Sequence, residues 1–182
     1  DTNFDTMSIE VGVQFLFFCR IMKMENGQQI GSCAEENKMY KELISELVQE
    51  NAWVKIQPPC SENDIETAEK AVGYPFPKEL RELLLEMNGD QYLLLSIEEI
   101  VEQAKLNREI QEEYNDEEFA KELDKFLFFA GNGCGDYYCY YANADGVIDE
   151  TSIYIWEHEE YCWKQVASNM AELITRYYHD EI

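Results

Sequence analysis

The sequence predicts an α+β fold, in which a twisted, largely antiparallel sheet packs with helices in a single domain. The first observation is that residues 39–123 repeat apolar side chains at the i, i+3, i+4 spacing of amphipathic helices. The second is that residues 126–156 contain three short aromatic and β-branched runs separated by tight turns. Another helical stripe follows, and the order helices, strands, helix is typical of α+β domains. A length of 182 residues allows one domain and a short extension.

Residues 1–38 differ in pattern from the rest, and we expect them to form an N-terminal extension of unknown role before a domain over residues 39–182. Alternating apolar side chains at residues 9–17 indicate a strand within this extension. In an alternative interpretation, Met7 or Met39 is the initiator and the residues before it lie upstream of the protein.

Three apolar stripes predict three helices before the strands, because in each the apolar residues recur on one face. Ser61 and Asp64 form an N-terminal capping pattern for the second helix, and Gly73 ends it. Pro77 is expected at the first helical position of the third. The stripes are Tyr40, Leu43, Ile44 and Leu47, then Ile65, Ala68 and Val72, then Leu80, Leu83, Leu84 and Met87.

A fourth helical stretch is acidic. Ser96 and Glu99 form a capping box that opens a helix running from Ile97 toward Leu123, with a break expected near Asn115. Its exposed face should therefore be strongly negative.

Strands are expected at residues 126–130, 137–141 and 153–156, and a glycine loop at 131–136 and a turn at 143–146 join them into an antiparallel meander. Side chains alternate between the two faces of a strand, so about half of the aromatic residues there should be buried and half exposed. The last helix carries Met170, Leu173, Ile174 and Tyr177 at helical spacing.

The charge of the chain excludes several kinds of partner. Against 38 Asp and Glu stand 14 Lys and Arg, which gives a formal net charge of −24. Such a surface repels phosphate backbones and anionic lipid head groups, so we expect no direct binding to nucleic acid and none to membranes. It attracts basic proteins instead. The acidic runs are interpreted as a solvated face or as a docking surface for such a partner, and the two interpretations are compatible.

The predicted location is cytoplasmic. The longest near-apolar run, Val11 to Cys19, is shorter than the roughly 20 residues of a membrane helix. The N-terminus as given lacks the basic start and cleavage site of a signal peptide. Six cysteines are scattered singly, which favours reduced thiols over a disulfide framework.

No catalytic residue, metal or cofactor is predicted, and we expect that the protein is not an enzyme. The glycine loop joins two strands rather than opening a helix, so it is interpreted as a hairpin or bulge and not as a phosphate site. Cys134, Cys139, His158 and Cys162 match no structural zinc spacing, and Cys139 is interpreted as a buried core thiol. No pattern places His158 beside a particular cysteine for Cys–His catalysis.

One block of sequence carries a family resemblance. A helical stretch at 65–69 leads to Gly73-Tyr74-Pro75-Phe76-Pro77, and a leucine stripe then ends at Met87-Asn88-Gly89-Asp90. From about residue 64 to residue 173 the chain resembles the SUKH superfamily, which includes bacterial toxin-immunity proteins and fungal regulators of cell-wall glucan synthesis. Two departures are mild: Phe76 stands where the family usually has Leu, and Asp90 replaces the second Gly of its NGG motif.

The resemblance implies an α+β fold, in agreement with the element order, and it implies a function. Bacterial members are mostly small intracellular proteins that bind and neutralise a toxin domain, often a nuclease, and they offer no catalytic residues to carry over. We therefore predict an immunity protein that blocks a basic toxin by steric and electrostatic occlusion, since a nuclease needs a cationic surface to hold phosphates. The alternative is a non-enzymatic scaffold or regulatory binding protein related to the cell-wall synthesis regulators. The sequence does not indicate the oligomeric state.

The contacts with the toxin are predicted in three segments: after the glycine loop, at the end of the third strand, and in the acidic helical stretch. They are Asp136, Tyr137 and Tyr138; Trp156, Glu157, Glu159 and Glu160; and Glu112, Glu113, Asp116, Glu117 and Glu118.

Overall fold

The structure is a computed structural model that describes residues 39–48 and 53–182. It confirms the α+β prediction, with helices packed on an antiparallel four-stranded sheet. The strand and the extension predicted within residues 1–38 lie outside the described residues. The elements are α1 (Met39–Val48), α2 (Glu62–Val72), α3 (Lys78–Glu86), α4 (Ile97–Glu113), two 3-10 turns (Glu118–Ala120 and Leu123–Lys125), β1 (Phe126–Gly131), β2 (Tyr137–Tyr141), β3 (Ile153–Glu157), β4 (Cys162–Ala167) and α5 (Met170–Tyr178).

The helix predictions agree with these bounds, with one correction. Side-chain and backbone hydrogen bonds form both predicted capping boxes, Ser61 with Asp64 and Ser96 with Glu99. Gly73 ends α2 in a left-handed conformation at φ +93°. Pro77 is not the first helical residue but the cap before α3, where its ψ of 149° is still extended. The acidic stretch breaks at Tyr114 and continues as the two 3-10 turns.

The sheet has the strand order β1-β2-β3-β4, and all neighbouring strands are antiparallel. The predicted three-stranded meander is therefore correct, but β4 was not recognised as a strand from residue pattern. Its central residues Trp163, Lys164 and Gln165 are all exposed, so the edge strand lacks the apolar alternation that marks a half-buried one. At the other edge, Leu94 pairs with Ala130 and lengthens the sheet by one bridge.

The two faces of the sheet differ. Side chains from all five α-helices and the inner sheet face form the main core, in which Tyr138 and Tyr140 are almost fully buried. On the outer face a smaller buried cluster consists of Phe126, Phe128 and Cys139. The prediction that Cys139 is a core thiol is confirmed, and burial holds the pKa of this thiol well above its ordinary value.

The turn after α3 is the most constrained part of the fold. Gly89 has φ +79°, and a Cβ atom there would lie 2.7 Å from the carbonyl oxygen of Leu94, so a glycine is required. The carboxylate of Asp90, which is fully buried, accepts hydrogen bonds from the backbone N–H groups of Tyr92, Leu93 and Leu94 at 3.0, 2.9 and 2.8 Å.

Asp90 also connects this turn to the last helix. The hydroxyl of Tyr178 in α5 donates to the second carboxylate oxygen at 2.8 Å. Burial and the neighbouring Asp90 raise the pKa of Tyr178 far above the ordinary tyrosine value, so the phenol stays protonated as a donor. Asp90, which stands where the NGG motif has its second Gly, therefore joins the turn to α5 by a hydrogen bond between residues far apart in the sequence.

Of the helices in the described part of the chain, none combines the length and apolar character needed to cross a membrane.

Candidate protein-binding face

The outer face of the sheet presents packed aromatic rings. Tyr137 on β2 lies opposite Trp156 on β3, and Trp156 lies opposite Trp163 on β4. The ring of Phe128 stacks on Tyr137 with a centroid distance of 5.0 Å and lies 5.8 Å from Trp156. Because strand alternation puts these side chains on the same side, the rings form one layer away from the helices.

Further rings extend this layer to the acidic segment. The ring of Tyr161, in the turn after β3, lies 6.5 Å from Trp156 and stacks on Phe119 at 4.6 Å. Phe119 in the first 3-10 turn lies 6.0 Å from Tyr114 at the end of α4. We call the continuous series Tyr114, Phe119, Tyr161, Trp156, Phe128 and Tyr137 the aromatic chain.

The glycine loop is attached to the end of β3 by Asp136. Its carboxylate lies 2.8 Å from Nδ1 of His158 and also accepts the backbone N–H of His158 at 3.1 Å. The side-chain amide of Asn132 donates to the other carboxylate oxygen at 2.9 Å. At Gly135, whose φ is +103°, a Cβ would lie 2.9 Å from the His158 ring, so this glycine allows the close approach. The predicted hairpin interpretation of the loop is confirmed.

These contacts control the ionisation of Asp136. Burial acts to raise the pKa of its carboxyl group, but the hydrogen bonds from His158 and Asn132 outweigh burial and keep the pKa below its ordinary value of 3.8. The charged form therefore stabilises the fold at pH values above 3.8, and this stabilisation is lost as the pH falls through the lower folded-state pKa.

We expect Asp136→Asn to lower the free energy of unfolding by about 1 kcal/mol at neutral pH, since the amide keeps the shape but not the charge. Urea unfolding of both proteins from about pH 7 to about pH 2.5 measures the difference, which should shrink below pH 3.8. Asp145→Asn in the exposed turn at 143–146 is the control. A difference that persists unchanged at the acidic end would contradict this assignment.

The structure brings the three predicted segments together, with one correction. The predicted contact Tyr138 is only 1% exposed, because its side chain points to the helices, and the prediction for this residue is wrong. Tyr137, one position earlier, lies on the outer face with Trp156, and both are half-buried. Exposed carboxylates flank the aromatic chain: Glu112, Glu113, Asp116, Glu117, Glu118, Glu159 and Glu160. Of these, Glu118 pairs with Lys121.

Glu157 has a structural partner as well. Lys164 of the neighbouring strand donates to its carboxylate at 2.7 Å, and this hydrogen bond lowers the pKa of Glu157. It is therefore a less available contact than Glu159 and Glu160. Phe119 and Tyr161 were not predicted, although they join the segments. The available signal was an aromatic residue isolated within each acidic run.

One group of side chains in this region has metal-ligand atoms near each other. Ligand atoms of Glu157, Glu160 and Cys162 lie within 4.8 Å of one another. The hydrogen bond to Glu157 and the nearby negative charges raise the pKa of the Cys162 thiol, so the thiolate that binds metal is disfavoured. This set differs from the four residues considered from sequence, and we assign it no metal.

The constrained Gly89-Asp90 turn and the outer aromatic layer both lie within a region shared with known proteins. Residues 59–176, more than half of the chain, match the model of the SMI1 / KNR4 family (SUKH-1). The chain belongs to this family. Membership confirms the resemblance, and it is consistent with an immunity-type or regulatory function in which the SUKH-1 protein binds another protein. No curated protein matches the chain.

The matched region of this SUKH-1 chain runs from just before α2 into α5 and includes every residue of the aromatic chain and of its acidic flanks. α1 lies before it and packs on α3 and α5. Backbone N–H groups at the start of α1 donate to the Glu86 carboxylate of α3, so α1 is joined to the family domain by specific bonds.

Proposed function

We propose that this protein is an immunity protein that binds a basic toxin domain of the nuclease type and blocks it by occlusion. The observation that carries the proposal is the single outer face on which the aromatic chain connects the three predicted contact segments, two of them acidic. Segments that are far apart in the sequence there form one surface of rings surrounded by carboxylates. The predicted cytoplasmic location belongs to the same proposal.

The composition of this face supports binding of a protein. Tyrosine and tryptophan contribute large contact areas at little cost in side-chain entropy and are enriched at the energetic centres of protein interfaces. Because the rings already pack on one another, binding would not have to order them.

The charge of the face supports a basic partner. Seven exposed carboxylates lie around the aromatic chain, and they are part of the 38 acidic residues that give the whole protein its net charge of −24. A nuclease needs cationic side chains to hold phosphates, so the face would attract this surface and compete with the nucleic acid for it. Complementary charge of this kind increases the association rate and selects against acidic partners. The proposal assigns no catalytic step, cofactor or metal to the protein.

The family match also fits a second candidate, a regulatory binding protein of the kind found among the cell-wall synthesis regulators. In this alternative the same face binds a cellular protein instead of a toxin. The two candidates differ in the partner and not in the surface. Rescue of cells from a toxin domain therefore distinguishes the immunity protein from the regulatory protein.

Co-expression tests the proposal. The full chain is produced together with the toxic C-terminal domain encoded by an adjacent gene, and survival and co-purification are scored. We expect rescue and a stable complex with a basic domain. Rescue without any complex would contradict occlusion, and a complex that leaves the toxin active would contradict the immunity function and favour the regulatory candidate.

A further inference from the structure

Three cavities meet at Glu99 near the start of α4. The largest, about 1030 Å³, lies between α2 and α4. The second, about 480 Å³, lies between the segment 91–95 and the glycine loop, and the third, about 250 Å³, lies beside Leu106 of α4. Glu99 lines all three, and neighbouring cavities also share Gln91, Leu95, Glu102 and Tyr137. We call the combined depression the trough.

The trough has only one sign of charge. Its lining contains the carboxylates of Asp64, Glu98, Glu99, Glu102 and Asp136. Among the residues that the structure describes, those lining the three cavities include no Lys, Arg or His. Elsewhere Arg81 and Lys125 each pair with a carboxylate, so the trough differs from the surfaces where acidic charge is balanced within the fold.

Some of these carboxylates are already used by the fold, and one is not. Glu99 accepts the backbone N–H of Ser96, and Glu98 accepts the side-chain amide of Asn88. Glu102, which is exposed, has no hydrogen bond or ion pair within the described part of the chain. Its charge is therefore available to a ligand without loss of an internal contact.

The walls of the trough suit long basic side chains. Ala68, Ala71 and Val101 give the largest cavity an apolar surface on which the methylene groups of Lys or Arg can pack. The rings of Tyr92 and Tyr137 line the second cavity beside carboxylates, and aromatic faces of this kind attract a guanidinium group.

We propose that the trough binds a basic peptide segment of the protein partner, rich in Lys and Arg. This inference rests on the proposed function, because the segment belongs to the same partner. Asp136 and Tyr137 line the trough and also belong to the predicted contact segments, so the two surfaces are continuous. The partner covers the aromatic chain with its folded surface and extends the segment along α4.

A peptide titration tests the trough without the toxin. A fluorescent hexa-arginine peptide is titrated into the full-length protein, and anisotropy gives the dissociation constant. Glu102→Lys is expected to weaken binding about tenfold or more. Two charge-matched controls, Glu66→Lys on the exposed side of α2 and Glu46→Lys at an exposed position of α1, should change it less than about twofold, because neither residue lines the trough.

Two results would overturn the inference. Equal losses for Glu102→Lys and both controls would show attraction to net charge alone, and no binding of the peptide to the unmodified protein would show that the trough is not a basic-segment site. Both results leave the toxin rescue of the proposed function intact. Conversely, consider a peptide that loses affinity selectively in Glu102→Lys while co-expression with the toxin domain gives no rescue. This pair of results would support the trough as a basic-segment site and contradict the proposed immunity function.

Discussion

Asp90→Ala is expected to lower the free energy of unfolding by about 3–5 kcal/mol, because the carboxylate holds four donors in the interior. Alanine leaves three backbone N–H groups and the Tyr178 hydroxyl without an acceptor. A small domain with a total stability of about 5–15 kcal/mol would then be near its unfolding threshold. Urea unfolding followed by circular dichroism measures the change.

Two variants separate the contributions at this turn. Tyr178→Phe removes one hydrogen bond and keeps the ring packing, so a loss of about 1–2 kcal/mol is expected. Asp145→Ala in an exposed turn is the matched control and should change stability by less than about 0.5 kcal/mol. If Asp90→Ala were as mild as this control, the carboxylate would not be the connection between the turn and α5.

Replacing Glu112, Glu117 and Glu159 together with lysine is expected to weaken the complex with the toxin domain by about 100-fold or more. All three side chains are exposed and flank the aromatic chain, so the substitutions replace attraction with repulsion without disturbing the core. Calorimetry at low and high salt measures the loss, which should decrease as salt screens the charges.

The control for this experiment carries the same change in net charge on another surface. Glu42→Lys and Glu46→Lys on α1, combined with Glu66→Lys on α2, are all at exposed positions. We expect an affinity within about fivefold of the unmodified protein. An equal loss in both triple variants would mean that total charge, and not this face, determines binding. Asp136 and Glu157 are unsuitable for reversal because both have structural partners.

The sequence predicted the helices and the meander because their signals are local. Capping pairs such as Ser96 with Glu99 and apolar stripes at helical spacing depend on residues a few positions apart. β4 gave no such signal, since its exposed centre contains no alternation, and its place depends on pairing with β3. The role of Asp90 was underestimated for the same reason: its decisive donor, Tyr178, lies 88 residues away.

The candidate site could be predicted only in part. Alternation showed that half of the aromatic residues on β2 should face outward, but it did not show which half, and Tyr138, which was predicted as a contact, is buried. The acidic segments were visible as charge runs. Their connection through Phe119 and Tyr161 required the three-dimensional packing, and the trough depends on cavities between elements that no sequence pattern describes.

Hydrogen–deuterium exchange on the complex tests the central claim most directly. The free protein and the protein bound to its toxin domain are compared peptide by peptide. The proposed face predicts slower exchange on binding at residues 112–119 and 156–161, with α1 and α3 unchanged as internal references. Protection confined to α1 and α3, with free exchange at both acidic segments, would contradict the assignment of the outer face as the surface that binds the toxin.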